Sequence, residues 1–396
     1  MWVVAAKEVS LDKEVSLDMG TKRKESLYEE IRLLQHTDVL EAAARGDGLD
    51  CPPIHVRLEP TESCNFKCSF CWWHADDRRA NLPNFDFTGT RRLSLDRMLR
   101  LIDELAEIGT SAVSFTGAGD PLVFPSMDKV LTKVQQCGLK FAVTSNLAMP
   151  LGDEVIGELA HASWLRWSMN AGSPDAYSEV NNPKGKAGDG AYQRACDNVR
   201  RLSQARKALG LKEFNASFVV YRTNAHDVKV AARLASEVGV DGISFRPDTP
   251  FEKQTSPNKY SSQVEQDIRS AREECETESF RVWMNVDRAE DTVKLGDPNL
   301  VCFYANHTTY IAATGDVYPC CYTRHDVNYA MGNILDQTFG EFWSSQARQE
   351  HYKRLVFDTC PPCPYGPTNQ ALASVYAGTG PTIGSNTSGK SPDVFV

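Results

Sequence analysis

No stretch of this 396-residue chain approaches the about 20 consecutive apolar residues that a bilayer-spanning helix needs, so no membrane helix is expected. The opening residues, Met1 to Ala6, are too short for a signal-peptide core and lack a basic leader, which points to a cytoplasmic protein. A positive excess is missing too. Against 43 Lys and Arg stand 52 Asp and Glu, a net charge of −9, so nucleic acid is not expected as the main partner. Repeats are nearly absent: Lys-Glu-Val-Ser-Leu-Asp occurs in tandem at 7–12 and 13–18, and two copies make no solenoid. Cysteine, by contrast, is abundant. Twelve are too many to be incidental, and in a reducing compartment they read as metal ligands before disulfides. The length suits one large core with a smaller module.

Three of the cysteines are crowded into Cys-Asn-Phe-Lys-Cys-Ser-Phe-Cys, as Cys64, Cys68 and Cys71, with no fourth nearby. Soft thiolates so placed can hold three irons of a [4Fe–4S] cluster and leave one iron open. Zinc with His74 as a fourth ligand, or half of a disulfide framework, would use the same residues.

Around this loop the chain alternates strand and helix patterns. His55–Glu59 reads as a strand feeding the cysteines. Amphipathic Ser94–Ile108 precedes strand 111–116, helix Ser126–Gln136 precedes strand 140–145, and helix Asp153–His161 precedes strand 164–169. A helix from about Tyr192 to Leu209 precedes strand 213–220, and helix Asp227–Val238 precedes strand 242–246. Six strands separated by helices imply parallel βα units, and strict alternation looks weak, as expected for strands buried on both faces. Before them, Leu27, Ile31, Leu34, Val39 and Leu40 sit at helical spacing, with Asp38 as a candidate N-cap. Charged residues Asp76–Arg79, Arg91 and Arg92 flank a loop that reads as a solvated face, with a lid role left open.

Beyond a polar bridge with a helix near Ser262–Glu278 comes a compact order. Cys302 is followed by a Thr314-Gly-Asp316 hairpin turn, then Pro319-Cys320-Cys321, Gly332-Asn333, a helical stretch at 338–355, and Cys360-Pro-Pro-Cys363. Four cysteines satisfy a zinc ribbon or an iron–sulfur cluster. Past Pro367 the composition suggests a flexible tail. The expected organisation is an N-terminal arm and helical preface (1–54), a barrel (55–255), a helical linker (256–300), a cysteine module (301–366) and a tail (367–396). Cys51, Cys137, Cys196 and Cys275 have no partner pattern and read as buried free thiols.

The cysteine loop and its βα setting resemble the radical SAM enzymes over roughly residues 55–250. The resemblance implies an α/β fold, a six-stranded partial (β/α) barrel, in which Cys64, Cys68 and Cys71 ligate a [4Fe–4S] cluster whose open iron chelates S-adenosylmethionine. Phe70 then corresponds to the aromatic residue at the adenine. Gly117-Ala-Gly119-Asp120-Pro stands where the family shows Gly-Gly-Glu-Pro, whose backbone holds the SAM amino group, and Asp120 departs from that pattern. Asn146, Ser168 and Asn170, at the ends of strands three and four, correspond to polar residues meeting the SAM carboxylate and ribose. Ser168 and Asn170 are two residues apart and are expected on one side of a strand. Arg246 would grip the SAM carboxylate or a substrate anion, or serve in a structural ion pair.

Residues 302–363 resemble the twitch form of the SPASM domain, which implies an auxiliary [4Fe–4S] cluster on Cys302, Cys320, Cys360 and Cys363. The resemblance further implies reductive cleavage of SAM to a 5′-deoxyadenosyl radical, with electrons from a flavodoxin- or ferredoxin-type donor. A layout similar to twitch enzymes of aminoglycoside biosynthesis implies oxidation of a secondary alcohol in a small-molecule substrate, a sugar or aminocyclitol. An epimerase, with Cys321 as hydrogen donor, a peptide maturase, and a non-catalytic iron–sulfur or zinc protein are the alternatives.

Overall fold

A computed structural model describes residues 33, 36–42, 51–80, 82, 84–184, 190–248, 261–284, 301–355, 360 and 365–377. Six strands run parallel in sequence order: β1 (His55–Leu58), β2 (Ala112–Phe115), β3 (Lys140–Ser145), β4 (Trp164–Ser168), β5 (Phe214–Val220) and β6 (Gly242–Pro247). Helices Leu95–Glu107, Met127–Gln136, Asp153–Ala160, Ala191–Ala208 and Val228–Glu237 alternate with them, within a residue or two of expectation. Ser94 caps the first by accepting from the Arg97 N–H, which sets its start. Helix Pro174–Asn181, after β4, was not foreseen.

Alternation in these strands is stronger than expected. One face presents Val56 and Leu58, Val113 and Phe115, Phe141 and Val143, Leu165 and Trp167, Ala216 and Phe218, and Ile243 and Phe245. The register keeps these residues on one face across the sheet, and all of them join the core beneath the helices. The opposite face carries Arg57, Ser114, Thr144, Arg166, Ser168, Ser217, Ser244 and Arg246. The inner face is therefore polar, which suits a reaction chamber and not a packed core.

The sheet extends beyond six strands. Its order is β10-β9-β8-β1-β2-β3-β4-β5-β6-β7. β7 (Arg281–Met284), preceded by helix Ser262–Cys275, pairs parallel with β6. β8 (Thr308–Ile311) pairs parallel with β1, and β9 (Asp316–Tyr318) and β10 (Gly332–Asn333) continue antiparallel. Both exposed edges of the six-stranded unit are thereby covered.

Three local expectations change. The first described N-terminal helix is Thr37–Ala42, so Asp38 lies inside it and is not its cap; Leu27, Ile31 and Leu34 lie outside the described residues. The stretch 338–355 is two helices, Phe339–Trp343 and Gln346–Tyr352, because Ser345 caps a new start by accepting from the Arg348 N–H. Residues 366–376 are no tail: Gly366–Tyr376 is a helix that buries Asn369 and Leu372. Asn369 Oδ1 accepts the Tyr304 N–H at 2.8 Å, so this helix closes over the segment containing Cys302.

Arg97 and Glu104 join helix Leu95–Glu107 to the C-terminal module. Arg97 donates to both Glu104 oxygens at 3.0 Å and to the Ile334 carbonyl at 2.9 Å, while Glu104 also accepts the Phe339 N–H at 2.8 Å. The ion pair is nearly dry, so removing one partner strands the other. Arg97→Met is expected to cost about 3 kcal/mol in urea unfolding and to speed amide exchange in residues 334–343 ahead of the barrel core. Unchanged exchange there would remove this contact as the tie between the two parts.

Candidate active site

The cysteine loop leaves β1 and is pinned to helix Pro174–Asn181. Ser69 N–H donates to Val180 O at 2.9 Å, Lys67 N–H to Asn181 O at 3.2 Å, and the Cys68 thiol to Asn181 Oδ1 at 3.5 Å. Cys64, Cys68 and Cys71 are close enough to influence one another's charge. Burial, with Asp120 beside it, pushes the Cys64 thiol up to about 12; burial and its two neighbours raise Cys68 as well. A soft metal offsets that cost by stabilising the thiolates. Among the described residues, the three sulfurs do not all lie within 4.8 Å of one another. A single zinc would draw them to about 3.8 Å, so the donor set fits a multi-iron cluster better than a lone ion. His74 is not turned toward them: its Nε2 meets the Glu62 carbonyl at 3.1 Å, and burial holds its pKa down at about 4.

The Gly117–Pro121 loop presses against the cysteine loop. A Cβ on Gly119 would come within 2.4 Å of the Thr61 and Ser63 carbonyls, and one on Gly117 within 2.5 Å of Glu59 Cγ. Asp120 is buried and fully engaged. It accepts from Leu122 N–H (2.9 Å), Asn146 N–H (2.7 Å) and the Ser145 hydroxyl (2.9 Å), tying this loop to the end of β3. Asn146 in turn donates to Asn65 Oδ1 at 2.8 Å, inside the cysteine loop. Phe70 is half-buried, edge-on to Tyr221 at 6.3 Å. Ser168 is half-buried on the inner face, and Arg246 is half-buried on β6 opposite Val219.

Asn170 departs from expectation. β4 ends at Ser168, and Asn170 has φ +57°, so strand alternation no longer governs where its side chain points. Its Oδ1 accepts the Val219 N–H at 3.0 Å, a structural bond between β4 and β5.

On the other side, Cys302, Cys320, Cys321 and Cys360 are neighbours. Burial and Cys360 push Cys302 up to about 12; burial, then Cys321 and Cys302, do the same to Cys320. Cys363 lies outside the described residues. Cys51, Cys137, Cys196 and Cys275 take no part: Cys137 donates to Asp103 at 3.4 Å, and Cys196 is buried in the barrel core.

Glu59, Glu62 and His325 escaped the sequence reading. Glu59 Oε2 accepts from the Ala118 N–H (2.8 Å), the Tyr310 hydroxyl and His325 Nε2 (3.0 Å). Glu62 is saturated by Arg91 (Nε 2.9 Å), Thr88 and the Gly89 N–H. Ligand atoms of the three lie within 4.8 Å of one another; Glu59 Oε2, Glu62 and His325 are held by the bonds just given, while Glu59 Oε1 is buried without a hydrogen-bond partner. The loop at 84–87, read as a solvated face or lid, wedges here instead. Asp86 N–H donates to His325 O at 2.8 Å, and Trp73 and Phe87 pack on the His325 ring at 4.8 and 5.5 Å. A clue was the acidic pair within Leu-Glu-Pro-Thr-Glu-Ser-Cys, directly ahead of the cysteines.

Because a methyl on Gly119 would strike backbone and not a flexible side chain, Gly119→Ala is expected to displace the cysteine loop. Iron bound after anaerobic reconstitution should fall by at least about half while the far-UV spectrum is kept. Full iron loading in that variant would show that the close approach is dispensable.

Residues 58–235 match the family model described as the radical SAM superfamily, and residues 302–364 match that of an iron–sulfur cluster-binding domain, SPASM. A probable GTP 3′,8-cyclase of Sulfolobus acidocaldarius is 26% identical over 191 residues, 48% of this chain and 54% of that protein. An S-adenosylmethionine-dependent nucleotide dehydratase of Flammeovirga pacifica is 23% identical over 121 residues, 30% of this chain and 39% of that protein. The chain thus spans about half, or less, of these curated relatives. Streptococcus suis SuiB bound to precursor peptide SuiA superposes with a TM-score of 0.57 at 15% identity, covering 86% of this chain and 76% of that one. The structure of anSMEcpe with bound AdoMet does so with a TM-score of 0.52 at 17% identity, covering 82% and 97%. Among the described residues no helix is long and apolar enough to cross a membrane. Residues 58–235 thus form a radical SAM domain, which implies a [4Fe–4S] cluster and S-adenosylmethionine, and residues 302–364 a SPASM-type domain, which implies an auxiliary cluster.

Proposed function

We propose that this chain is a radical SAM dehydrogenase that oxidises a secondary alcohol in a small polar substrate, by loss of two electrons and two protons. The observation that supports this reading is a pair of cysteine groups, one in the loop after β1 and one in the C-terminal module, on segments joined by the β1–β8 ladder of a single sheet. Cys64, Cys68 and Cys71 stand on the barrel side; Cys302, Cys320 and Cys360 stand on the module side, and Cys363 would complete their set. When bound, the first cluster with SAM supplies a 5′-deoxyadenosyl radical for hydrogen abstraction, and the auxiliary cluster supplies an electron acceptor. The chain's own part is placement. The Gly117–Pro121 loop and the ends of β3 and β4 seat SAM, with Phe70 at its adenine, and the polar inner face receives the hydroxyl-bearing substrate. Arg246, on β6, would grip the SAM carboxylate. A flavodoxin- or ferredoxin-type protein would deliver the electron that starts the reaction. Two of the relatives are named for reactions on nucleotides, which agrees with a small polar substrate.

Two measurements test this. Anaerobic reconstitution should bind about eight irons per chain, from two four-iron cubes. Replacing Cys64, Cys68 and Cys71 together by Ala should remove about half of them and abolish 5′-deoxyadenosine; SAM cleavage surviving that change would sink the assignment.

The second measurement separates oxidation from epimerisation. With Cys302→Ala or Cys320→Ala, SAM cleavage should persist while oxidised product collapses. In deuterated water the wild-type product should be two hydrogens lighter than substrate, without deuterium on carbon. A product of unchanged oxidation level carrying one carbon-bound deuterium would overturn the dehydrogenase reading and point to Cys321 as the hydrogen donor.

A further inference from the structure

Between the two cysteine groups stands a guanidinium whose surroundings are incomplete for a structural role. Arg324 is enclosed yet not sealed: Trp73 lies 5.1 Å below it and the Tyr310 ring 5.7 Å away. One amino group donates to the Cys321 carbonyl, and its Nε is buried with no hydrogen-bond partner. Among the described residues, no carboxylate lies within the 4 Å of an ion pair with it. The carboxylate it feels most, Glu59, is already held by His325, Tyr310 and the Ala118 N–H. A buried charge without a close counter-charge costs several kcal/mol; that cost is tolerable when a ligand supplies the counter-charge.

Its position is as telling as its partners. Arg324 donates to the Cys321 carbonyl and stands over Trp73, two residues beyond Cys71, so it touches the segments of both cysteine groups. Arg57, also half-buried, approaches Cys321 from β1, where it sits in register with Tyr310. It donates to the hydroxyls of Tyr304 (3.1 Å) and Tyr365 (3.3 Å), which hold its planar fork in place. Those two rings stack at 3.9 Å, 14° from parallel, so the fork rests on a rigid support. Two guanidinium groups thus bracket Cys321 on the inner face.

We infer that Arg324 and Arg57 form an oxyanion-recognition site, and that the substrate carries a carboxylate or phosphate group which they hold between the two cysteine groups. This rests on the reading that substrate lies between those groups, and it narrows the substrate class. An acidic sugar or a phosphorylated one fits; an ammonium-bearing aminocyclitol would meet two positive charges. The rival account is that the guanidinium groups only offset the negative charge of thiolate-bound clusters. It predicts no affinity for small anions.

The test uses the anaerobically reconstituted full chain at matched ionic strength, with inorganic phosphate, malonate and glucosamine as probes and thermal unfolding as the readout. Phosphate or malonate should raise the unfolding temperature by a few degrees, and glucosamine should not. A rise with phosphate alone identifies a phosphoryl group, and a rise with malonate alone a carboxylate. Arg324→Gln should weaken the responding anion about 10- to 100-fold, Arg324→Lys less so because a lysine keeps charge but loses the fork. Arg200→Gln, on the exposed face, serves as a control and should not change it. Should Arg324→Gln fail to fold, Arg57→Gln and Arg324→Lys carry the same comparison. No response to either anion, or an equal response in the Arg324 and Arg57 variants, overturns the inference. Formation of 5′-deoxyadenosine by the same wild-type sample tells that failure apart from failure of the radical SAM reading.

Discussion

The interior depends on the carboxylate of Glu59. It is fully buried, and desolvation alone would raise its pKa. His325, Tyr310 and the Ala118 N–H more than reverse this and keep the group ionised. Each donor comes from a different part of the chain: Ala118 from the loop after β2, Tyr310 from β8, His325 from the turn after Cys320 and Cys321. With Glu59 itself at the end of β1, one carboxylate draws four segments together. His325 has a carboxylate on Nε2 and the Asp86 carbonyl at 3.2 Å on Nδ1. Both ring nitrogens are engaged, and the ring is seated among Trp73, Phe87 and Tyr318. Its backbone pays a conformational penalty, with φ +64°, that this set of contacts sustains.

That arrangement explains which parts were legible beforehand. The six βα units were, because each helix repeats apolar residues at helical spacing and Gly109, Gly138, Gly210 and Gly239 mark the turns before β2, β3, β5 and β6. The cysteine spacing was legible for a similar reason, since its chemistry is local. β7, β8, β9 and β10 were harder: each has four residues or fewer, and each exists because a barrel edge or a neighbouring strand offers hydrogen bonds. Short runs such as Thr308–Ile311 carry too little pattern to announce that pairing. Helix Gly366–Tyr376 was misread for the same kind of reason. Its Gly, Pro, Thr and Asn start looks like a tail, and its stability comes from Asn369 and Leu372 closing over Tyr304.

Asn170 shows a different limit. A two-residue spacing licenses a shared face only while the chain stays extended, and β4 stops two residues earlier. Polar side chains at strand ends were grouped as cofactor ligands from their position, yet Asn146 and Asn170 make hydrogen bonds to protein partners. Those bonds tie neighbouring segments together. The inner-face arginines went the other way. Arg57 and Arg324 carry no motif, and only the register of β1 with β8 shows that they share a wall.

The same register ties the two cysteine groups to one frame. Cys64 lies six residues beyond Leu58, and Cys302 six residues before Thr308. β1 and β8 are parallel and paired from His55 with Thr308 to Leu58 with Ile311. The first group therefore leaves the C-terminal end of this ladder, while the approach from Cys302 enters at its N-terminal end. The paired strands fix the spacing between those two approaches. A flexible linker between barrel and module would let that spacing wander. Backbone hydrogen bonds between β1 and β8 do not, and Tyr304, Asn369 and the Glu59 network brace both ends. The span in which a substrate could face both groups is thus set by the sheet, and the side chains that line it decide what enters.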